Sequence, residues 1–209
     1  MSDAENTPDA SAPDNEAATP ARKRPKPGER RIQILQTLAA MLEQPGAERV
    51  TTAALAAKLE VSEAALYRHF ASKAQMFEGL IEFIEQTVFS LVNQITERDE
   101  GGARQAAKVV SMLMQFAEKN PGMTRVMVGD ALVFENERLQ QRMNQFFDKI
   151  EATLKQCLRD APSATPTADA QVRASVLTAF VVGRLQRFAR SGFRRLPSEH
   201  LEASLALML

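Results

Sequence analysis

"TTAALAAKLEVSEAALYRHF", residues 51–70, is the stretch on which the fold turns. Two short alanine-rich runs flank Glu60 and Val61, and Leu55, Leu59, Val61 and Leu66 recur so that one small core can hold all four. Two short helices joined by a tight turn and sharing a core form a helix-turn-helix, whose second helix lies in the DNA major groove. That groove is only about 12 Å wide, so the entering helix needs a slim leading face. Ala64 and Ala65 supply one, and an alanine methyl can touch the methyl of thymine. Ser62 caps the second helix and can reach a phosphate or a base edge. At the far end Tyr67, Arg68 and His69 suit backbone phosphates. Thr51 and Thr52 open the first of the two helices, as a cap for its amides and hydroxyls toward phosphate. Lys73 stands at the start of the following helix, where the dipole already attracts phosphate. The same pattern also suits a plain helical core with Tyr67 as a half-buried aromatic. Between residues 49 and 73, Arg49, Lys58, Arg68 and Lys73 outnumber Glu60 and Glu63, which favours DNA.

Outward from this segment the pattern stays helical. Upstream, Ile32, Leu35, Leu38, Ala39 and Leu42 recur at spacings of three and four, and "QPG" (44–46) stops that helix. Downstream, "FASK" (70–73) turns the chain into a long fourth helix capped by Ser72. "RDEGG" (98–102) ends the fourth helix and "KNPG" (119–122) the fifth. Further helices are predicted over 121–130, 137–160, 168–192 and about 198–208, with "APSATPT" (161–167) as a loop. No stretch alternates as a strand would, so the fold class is all-α. The expected organisation is a disordered N-terminal arm (1–28), a helix-turn-helix DNA-binding domain (29–71) and a helical dimerisation and partner-binding domain (72–209). In the arm Asp3, Glu5, Asp9, Asp14 and Glu16 come first, then Arg22, Lys23, Arg24 and Lys26. Arg30 and Arg31 carry the basic block into the first helix, either as a phosphate-contacting tail or as a solvated one.

Composition narrows the classes. A chain of 209 residues, 44% hydrophobic and 25% charged, suits one globular unit or two small ones. Its 26 basic and 26 acidic residues balance, so only their distribution carries information. A single cysteine, Cys157, leaves no internal disulfide and suits a reducing compartment. The acidic, polar start is not a signal peptide, and no apolar run approaches the roughly 20 residues of a membrane span, so a cytoplasmic protein is expected. There is no G-x-S-x-G, no H-E-x-x-H, no phosphate-binding glycine loop and no paired Cys/His set. Cys157 reads as a small buried residue in an amphipathic helix, His69 belongs to DNA and His200 to a surface helix. Neither catalysis, a metal nor a cofactor is expected.

Three stretches carry a more specific signal: "RVTTAALAAKLEVSEAALYRHFASKAQMFEGLIEFIE" (49–85), "EKNPGMTRVMVGDALVFENERLQQRMNQFF" (118–147) and "RFARSGFRRLP" (187–197). Together they resemble the TetR-type regulators, and among these the nucleoid occlusion branch. The resemblance runs from about residue 29 to the C-terminus and is weakest over 98–110 and 160–170. It implies a homodimer that binds palindromic chromosomal sites, associates with the nucleoid, binds the tubulin-like division protein FtsZ and antagonises division-ring assembly. On that resemblance the DNA contacts map to Thr51, Thr52, Ser62, Ala64, Tyr67, His69 and Lys73. The partner surface maps to Phe83, Met112, Gln115, Lys119 and Asn120. Two positions depart from it: Leu91 stands where a basic residue is expected, and Gln115 where a small one is.

Periodicity tests the partner face independently. Phe77, Leu80, Ile81, Ile84, Val88, Leu91, Val92 and Ile95 form one apolar stripe on the fourth helix, and Phe83 falls roughly 120° from its centre. Its neighbours there, Gly79, Gln86 and Ser90, read as a polar surface, so Phe83 is either a partner contact or packs on the DNA-binding helices or a loop. For dimerisation, "LQQRMNQFFDKIEATLKQCL" (139–158) and "VRASVLTAFVVGRLQRFA" (172–189) are long enough to build a four-helix interface, with Ala179 and Gly183 permitting close approach. An intramolecular bundle is the alternative, but reading a palindrome takes two recognition helices about 34 Å apart. Arg184, Arg187, Arg190, Arg194 and Arg195 follow without an acidic residue among them, as a solvated face or a surface for an acidic partner. The competing function is a ligand-responsive TetR-type repressor, which requires an apolar cavity with a few polar groups. The body offers phenylalanines but no Trp or Tyr, with Asn120, Thr124 and Asp130 as polar lining or as caps.

Overall fold

Helix starts are fixed by short polar side chains. Thr51 Oγ1 accepts from Ala54 N (3.1 Å), Ser62 Oγ from Ala65 N (3.3 Å) and Ser72 Oγ from Gln75 N (3.2 Å), each satisfying an amide that has no partner inside its helix. The computed structural model describes residues 28–44, 49–98, 101–159 and 166–209. Among these, α1 spans Glu29–Leu42, α2 Thr52–Lys58, α3 Glu63–Tyr67, α4 Lys73–Thr96, α5 Gly102–Lys119 and α6 Pro121–Met127. A 3-10 turn at Asp130–Leu132 follows, then α7 Glu137–Leu158, α8 Pro166–Arg190 and α9 Leu201–Met208. No strand occurs among the described residues, and the all-α class stands. The reading of 1–28 as an arm lies outside the described residues except for Gly28, as do parts of the breakers at 44–46, 98–102 and 161–167.

The α2–α3 turn closes as the sequence implies. Glu60 takes a left-handed φ of 55°, and Val61 N reaches back to Ala56 O (3.0 Å). Leu55, Leu59 and Leu66 are buried, and Val61 packs against the same cluster. That core is continuous with the body, running from Ile34 in α1 to Leu205 in α9.

Two glycines set how the helix-turn-helix sits on the body. A Cβ at Gly122, in α6, would lie 2.0 Å from the carbonyl oxygen of Ala39 in α1, so the helices touch backbone to backbone. A Cβ at Gly79, in α4, would lie 3.1 Å from the Leu35 side chain and 3.3 Å from Phe70. α4 is joined to α7 by ion pairs of Glu78 with Arg138 and of Glu85 with Arg142. The second is two-pronged, with Nε–Oε1 at 3.2 Å and Nη2–Oε2 at 2.5 Å. α7 and α8 pair along their length.

Several expectations need correcting. The helix predicted over 121–130 stops at Met127, because Gly129 adopts a left-handed φ of 85° and starts a separate 3-10 turn. α8 begins at Pro166, inside the stretch read as a loop, since proline is tolerated in a first helical turn. The last helix begins at Leu201, after a turn in which His200 has φ 54°. Gly79 is buried under Leu35 and Phe70 rather than part of a polar surface. Leu91 and Ile95 are half-buried, at the margin of the stripe.

Candidate nucleic-acid interface and partner face

α3 presents its exposed side away from the body. Ser62, Ala64, Tyr67, Arg68 and His69 are all exposed, while Leu66 points inward. Tyr67 keeps 45% of its surface free, which suits a hydroxyl meant for an external acceptor better than a packed aromatic. Thr51 is exposed beside them with its hydroxyl accepting from Ala54 N. Thr52 is half-buried, and its hydroxyl donates to Glu63 Oε2 (2.5 Å), tying the start of α2 to the first turn of α3. Six of the seven residues assigned to DNA therefore lie on α2, α3 and the turns at their ends.

Lys73 is the seventh, and it is engaged within the chain. Its ammonium pairs with Glu135, in the link between the 3-10 turn and α7, and the two side chains keep only 26% and 10% of their surface. It also lies 5.7 Å from the Phe77 ring centre. A phosphate at this helix start would have to compete with that carboxylate. Sequence reasoning missed Glu135 because it lies 62 positions away. It also missed Arg31: its Nη1 donates to the His69 carbonyl (2.8 Å) and its guanidinium stacks 4.0 Å from the Phe70 ring centre. The arginine had been noted only as part of a charge run.

On the other side of α4, Phe83 is 46% exposed, too open to be a packing residue of the helix-turn-helix. Met112, Gln115 and Lys119 fall on one face of α5 by their three- and four-residue spacing. Met112 is half-buried against the core, and Gln115 and Lys119 are exposed. Asn120 closes α5, donating from Nδ2 to Phe116 O (2.7 Å). The structure thus leaves four of the five partner candidates at or near the surface of α4 and α5, with Asn120 working as a cap. In the link before α7, Val133 and Phe134 are 70% and 67% exposed, an apolar pair that falls between the helices predicted over 121–130 and 137–160.

Two of the three groups considered as lining for a small ligand, Asn120 and Thr124, are committed elsewhere. Thr124, fully buried, donates to the carbonyls of Ala117 (3.0 Å) and Asn120 (3.1 Å), so Asn120 and Thr124 hold the α5–α6 junction. An open groove of about 620 Å³ lies between α4, α5 and α7, bounded by Phe89, Asn93, Gln105, Gln156 and Cys157 among others. Cys157 is buried and burial pushes its thiol up from its ordinary value, opposite to what a nucleophile needs.

On α8, Val172 and Val176 are exposed, as is Ala179, and a Cβ at Gly183 would meet nothing within 4 Å. An apolar stripe of this length, open in the protomer, fits the expected helix-on-helix contact between two copies. Of the following arginines, Arg184 reaches Ser204 Oγ (3.3 Å) and stacks 5.0 Å from the Phe180 ring centre. Among the described residues no helix is long and apolar enough to cross a membrane.

Comparison with known proteins agrees with this geometry. The sequence model of "Bacterial regulatory proteins, tetR family" matches residues 34–80. The SlmA-like "Tetracyclin repressor-like, C-terminal domain" matches residues 103–209. The chain is 48% identical over 182 residues to the nucleoid occlusion factor SlmA of Idiomarina loihiensis, covering 86% of this chain and 93% of that one. It is 49% identical over 188 residues to the SlmA of Aliivibrio fischeri, covering 88% and 96%. In three dimensions a TetR transcriptional regulator from Legionella pneumophila superposes with a TM-score of 0.69 at 14% identity, over 90% of this chain and all of that one.

Proposed function

The chain belongs to the tetR family of bacterial regulatory proteins, in its nucleoid occlusion branch, and from that premise we propose that it binds palindromic chromosomal DNA as a homodimer and, so bound, antagonises FtsZ assembly. Residues 29–71 act as the DNA-binding unit and residues 72–209 as the dimerisation and partner-binding unit, working in the cytoplasm on the nucleoid. Thr51, Ser62, Ala64, Tyr67 and His69 meet DNA directly. Thr52 positions the α2 start through Glu63, and Lys73 joins once Glu135 releases it. Phe83, Met112, Gln115 and Lys119 form the partner face, with Asn120 holding its lower end.

The observation that carries the partner half of this reading is Phe83, left 46% exposed on the helix that leaves the DNA-binding unit. A DNA-bound array of dimers would present many such faces close together, raising the local concentration of sites without any new contact. A second reading, a ligand-responsive repressor, draws on the open groove bounded by Phe89 and Cys157.

The test is co-sedimentation with assembling FtsZ, with and without a chromosomal fragment that the protein itself selects. The expected result is that DNA-bound protein reduces sedimenting polymer and that Phe83→Glu abolishes this while binding the fragment as before. Selection of DNA with no effect on polymer would leave an ordinary repressor and turn the search to a ligand. Equal loss of both activities in the variant would refute separate surfaces.

A further inference from the structure

α7 leaves the helix-turn-helix end of the protomer, where Glu135 and Arg138 meet Lys73 and Glu78. It ends at the far side, where a Cβ at Gly102 would lie 1.6 Å from the Cys157 carbonyl oxygen. α8 pairs with it and brings the chain back. At the return the backbone turns at Gly192 and Phe193, with φ 63° and 64°, and the turn is held on two helices. The Arg125 guanidinium of α6 lies 5.3 Å from the Phe193 ring centre, and Glu118 of α5 accepts from Ser198 N (2.9 Å) and Oγ (2.5 Å). α6 rests on α1 at Gly122, and Arg31 pins α1 to the exit of α3. The C-terminal end of α8 therefore lies on the side of the protomer that carries α1–α3.

The exposed stripe of α8 changes chemistry as it reaches that side. Val172, Val176, Ala179 and Gly183 continue at spacings of three and four into Arg187 and Arg190, so all six share one helical face. Both arginines are exposed. Arg195 joins Arg187 across an open groove of about 580 Å³, which Phe180, Arg184 and Leu196 also line. Arg184 is committed to Ser204 Oγ and the Phe180 ring. Among the described residues the guanidiniums of Arg187, Arg190 and Arg195 have no hydrogen-bond, ion-pair or ring partner. Glu199, the carboxylate that lines the groove, lies 3.9 Å from His200 Nε2 instead. Two copies packed along this stripe bring both sets of free cations to one end of the seam, where like charges repel unless an anion from outside lies against them.

In a dimer that reads a palindrome, the recognition helices stand about 34 Å apart and the seam ends over the gap between them. The polyanion crossing that gap is the middle of the DNA site, with a negative charge for about every 1.7 Å of its axis. Guanidinium is the side chain best matched to phosphate. We infer that Arg187, Arg190 and Arg195 of both copies form a basic surface over the centre of the palindrome, drawing in backbone phosphates that α3 does not reach and adding affinity without reading a base. The inference rests on the DNA-binding homodimer proposed above.

The test measures affinity for a chromosomal fragment selected by the full chain, by fluorescence anisotropy between about 50 and 200 mM salt. The full chain is compared with a variant carrying Arg187→Gln, Arg190→Gln and Arg195→Gln together. Each is also measured on the same fragment with neutral methylphosphonates in place of its central phosphates. The variant is expected to bind about tenfold or more weakly at low salt, with a slope shallower by about 1.8 or more, one lost phosphate contact per copy. Central methylphosphonates should weaken the full chain and leave the variant nearly unaffected. Arg195→Gln alone, which leaves α8 untouched, should give part of the same loss. Sedimentation at the binding concentrations should show the variant dimer as tight as the parent or tighter, because like charges are removed from the seam. A looser dimer would mean that the arginines pair with the other copy, and would overturn the inference. So would an unchanged slope, or an equal response of both proteins to central methylphosphonates. Loss of FtsZ antagonism with DNA binding intact would assign the surface to the partner and overturn it too. If the full chain selects no fragment, it is the DNA-binding reading that fails, a distinguishable result.

Discussion

Gly122→Ala is the sharpest perturbation the fold offers. The added methyl would sit 2.0 Å from the Ala39 carbonyl oxygen, 2.9 Å from its carbon and 3.2 Å from Glu43 Cγ. Carbon–oxygen contacts relax at about 3.3–3.6 Å, so roughly 1.3 Å must open between α6 and α1. Neither partner yields easily. The oxygen belongs to the backbone of the last turn of α1, and α6 is held by Pro121 and by Thr124 on the carbonyls of Ala117 and Asn120. Overpacking of this kind typically costs about 1–3 kcal/mol. For a chain of this size each kcal/mol lowers the midpoint by about 2–4 °C, so thermal unfolding followed by circular dichroism should show a loss of about 2–12 °C. The more telling readout is DNA binding. α1 carries the first turn that Arg31 pins to His69, so displacing α1 moves the recognition helix relative to the body and spoils half-site spacing in a dimer. Affinity for a two-site fragment should fall by about tenfold or more, about 1.4 kcal/mol, and affinity for a single half-site much less. A midpoint within about 1 °C of the parent and unaltered two-site binding would show that α6 does not set the position of the helix-turn-helix.

Glu135→Gln removes the carboxylate that holds Lys73. Binding to DNA should tighten by several-fold with a steeper salt dependence, because the lysine no longer leaves an ion pair to reach a phosphate; fluorescence anisotropy across salt reads this, and unchanged binding would mean Lys73 stays out of the interface. Gly183→Ala adds a methyl that meets nothing in the protomer and should favour helix by about 1 kcal/mol. If α8 is the dimer seam the same methyl separates two helices, so analytical ultracentrifugation should show a dissociation constant raised several-fold; an intact dimer with a higher midpoint would place the seam elsewhere.

Local chemistry was legible in the sequence, and distant chemistry was not. The α2–turn–α3 unit is written in Thr51, Ser62 and the leucines between them, since caps and helical periodicity act within a few residues. α6 was overrun because Gly129 stops a helix by a left-handed φ that an apolar pattern does not reveal. Gly79 was misread because periodicity places a residue on a face without naming what covers that face: Leu35 and Phe70 come from elements up to 44 positions away. The pairing of Lys73 with Glu135 and the hold of Arg31 on the His69 carbonyl have no local signature at all. They form only when α1, α4 and the link before α7 are brought together, and both alter the charge that the DNA surface presents. The resemblance supplied what spacing did not, the partner candidates on α5, and the structure separates among them the exposed Gln115 and Lys119 from Asn120, whose amide is committed to Phe116 O.

The two faces are mechanically joined, and the joints are the glycines. α4 carries Lys73 in its first turn and Phe83 ten residues later, about 15 Å along a single helix. It rests on the DNA-binding unit at Gly79, against Leu35 and Phe70. α5, which carries Met112, Gln115 and Lys119, ends in the Asn120–Thr124 junction, and α6 beyond it rests on α1 at Gly122. Both walls of the proposed partner face therefore rest on the same small unit that is proposed to meet DNA. A tilt of that unit that neither joint absorbs would change the spacing between Phe83 and the α5 face. Lengthening one support alone, as Gly122→Ala does, should disturb FtsZ antagonism even where DNA binding is restored by lowering the salt. Recovery of full antagonism under those conditions would show that the partner face needs DNA only to gather dimers together.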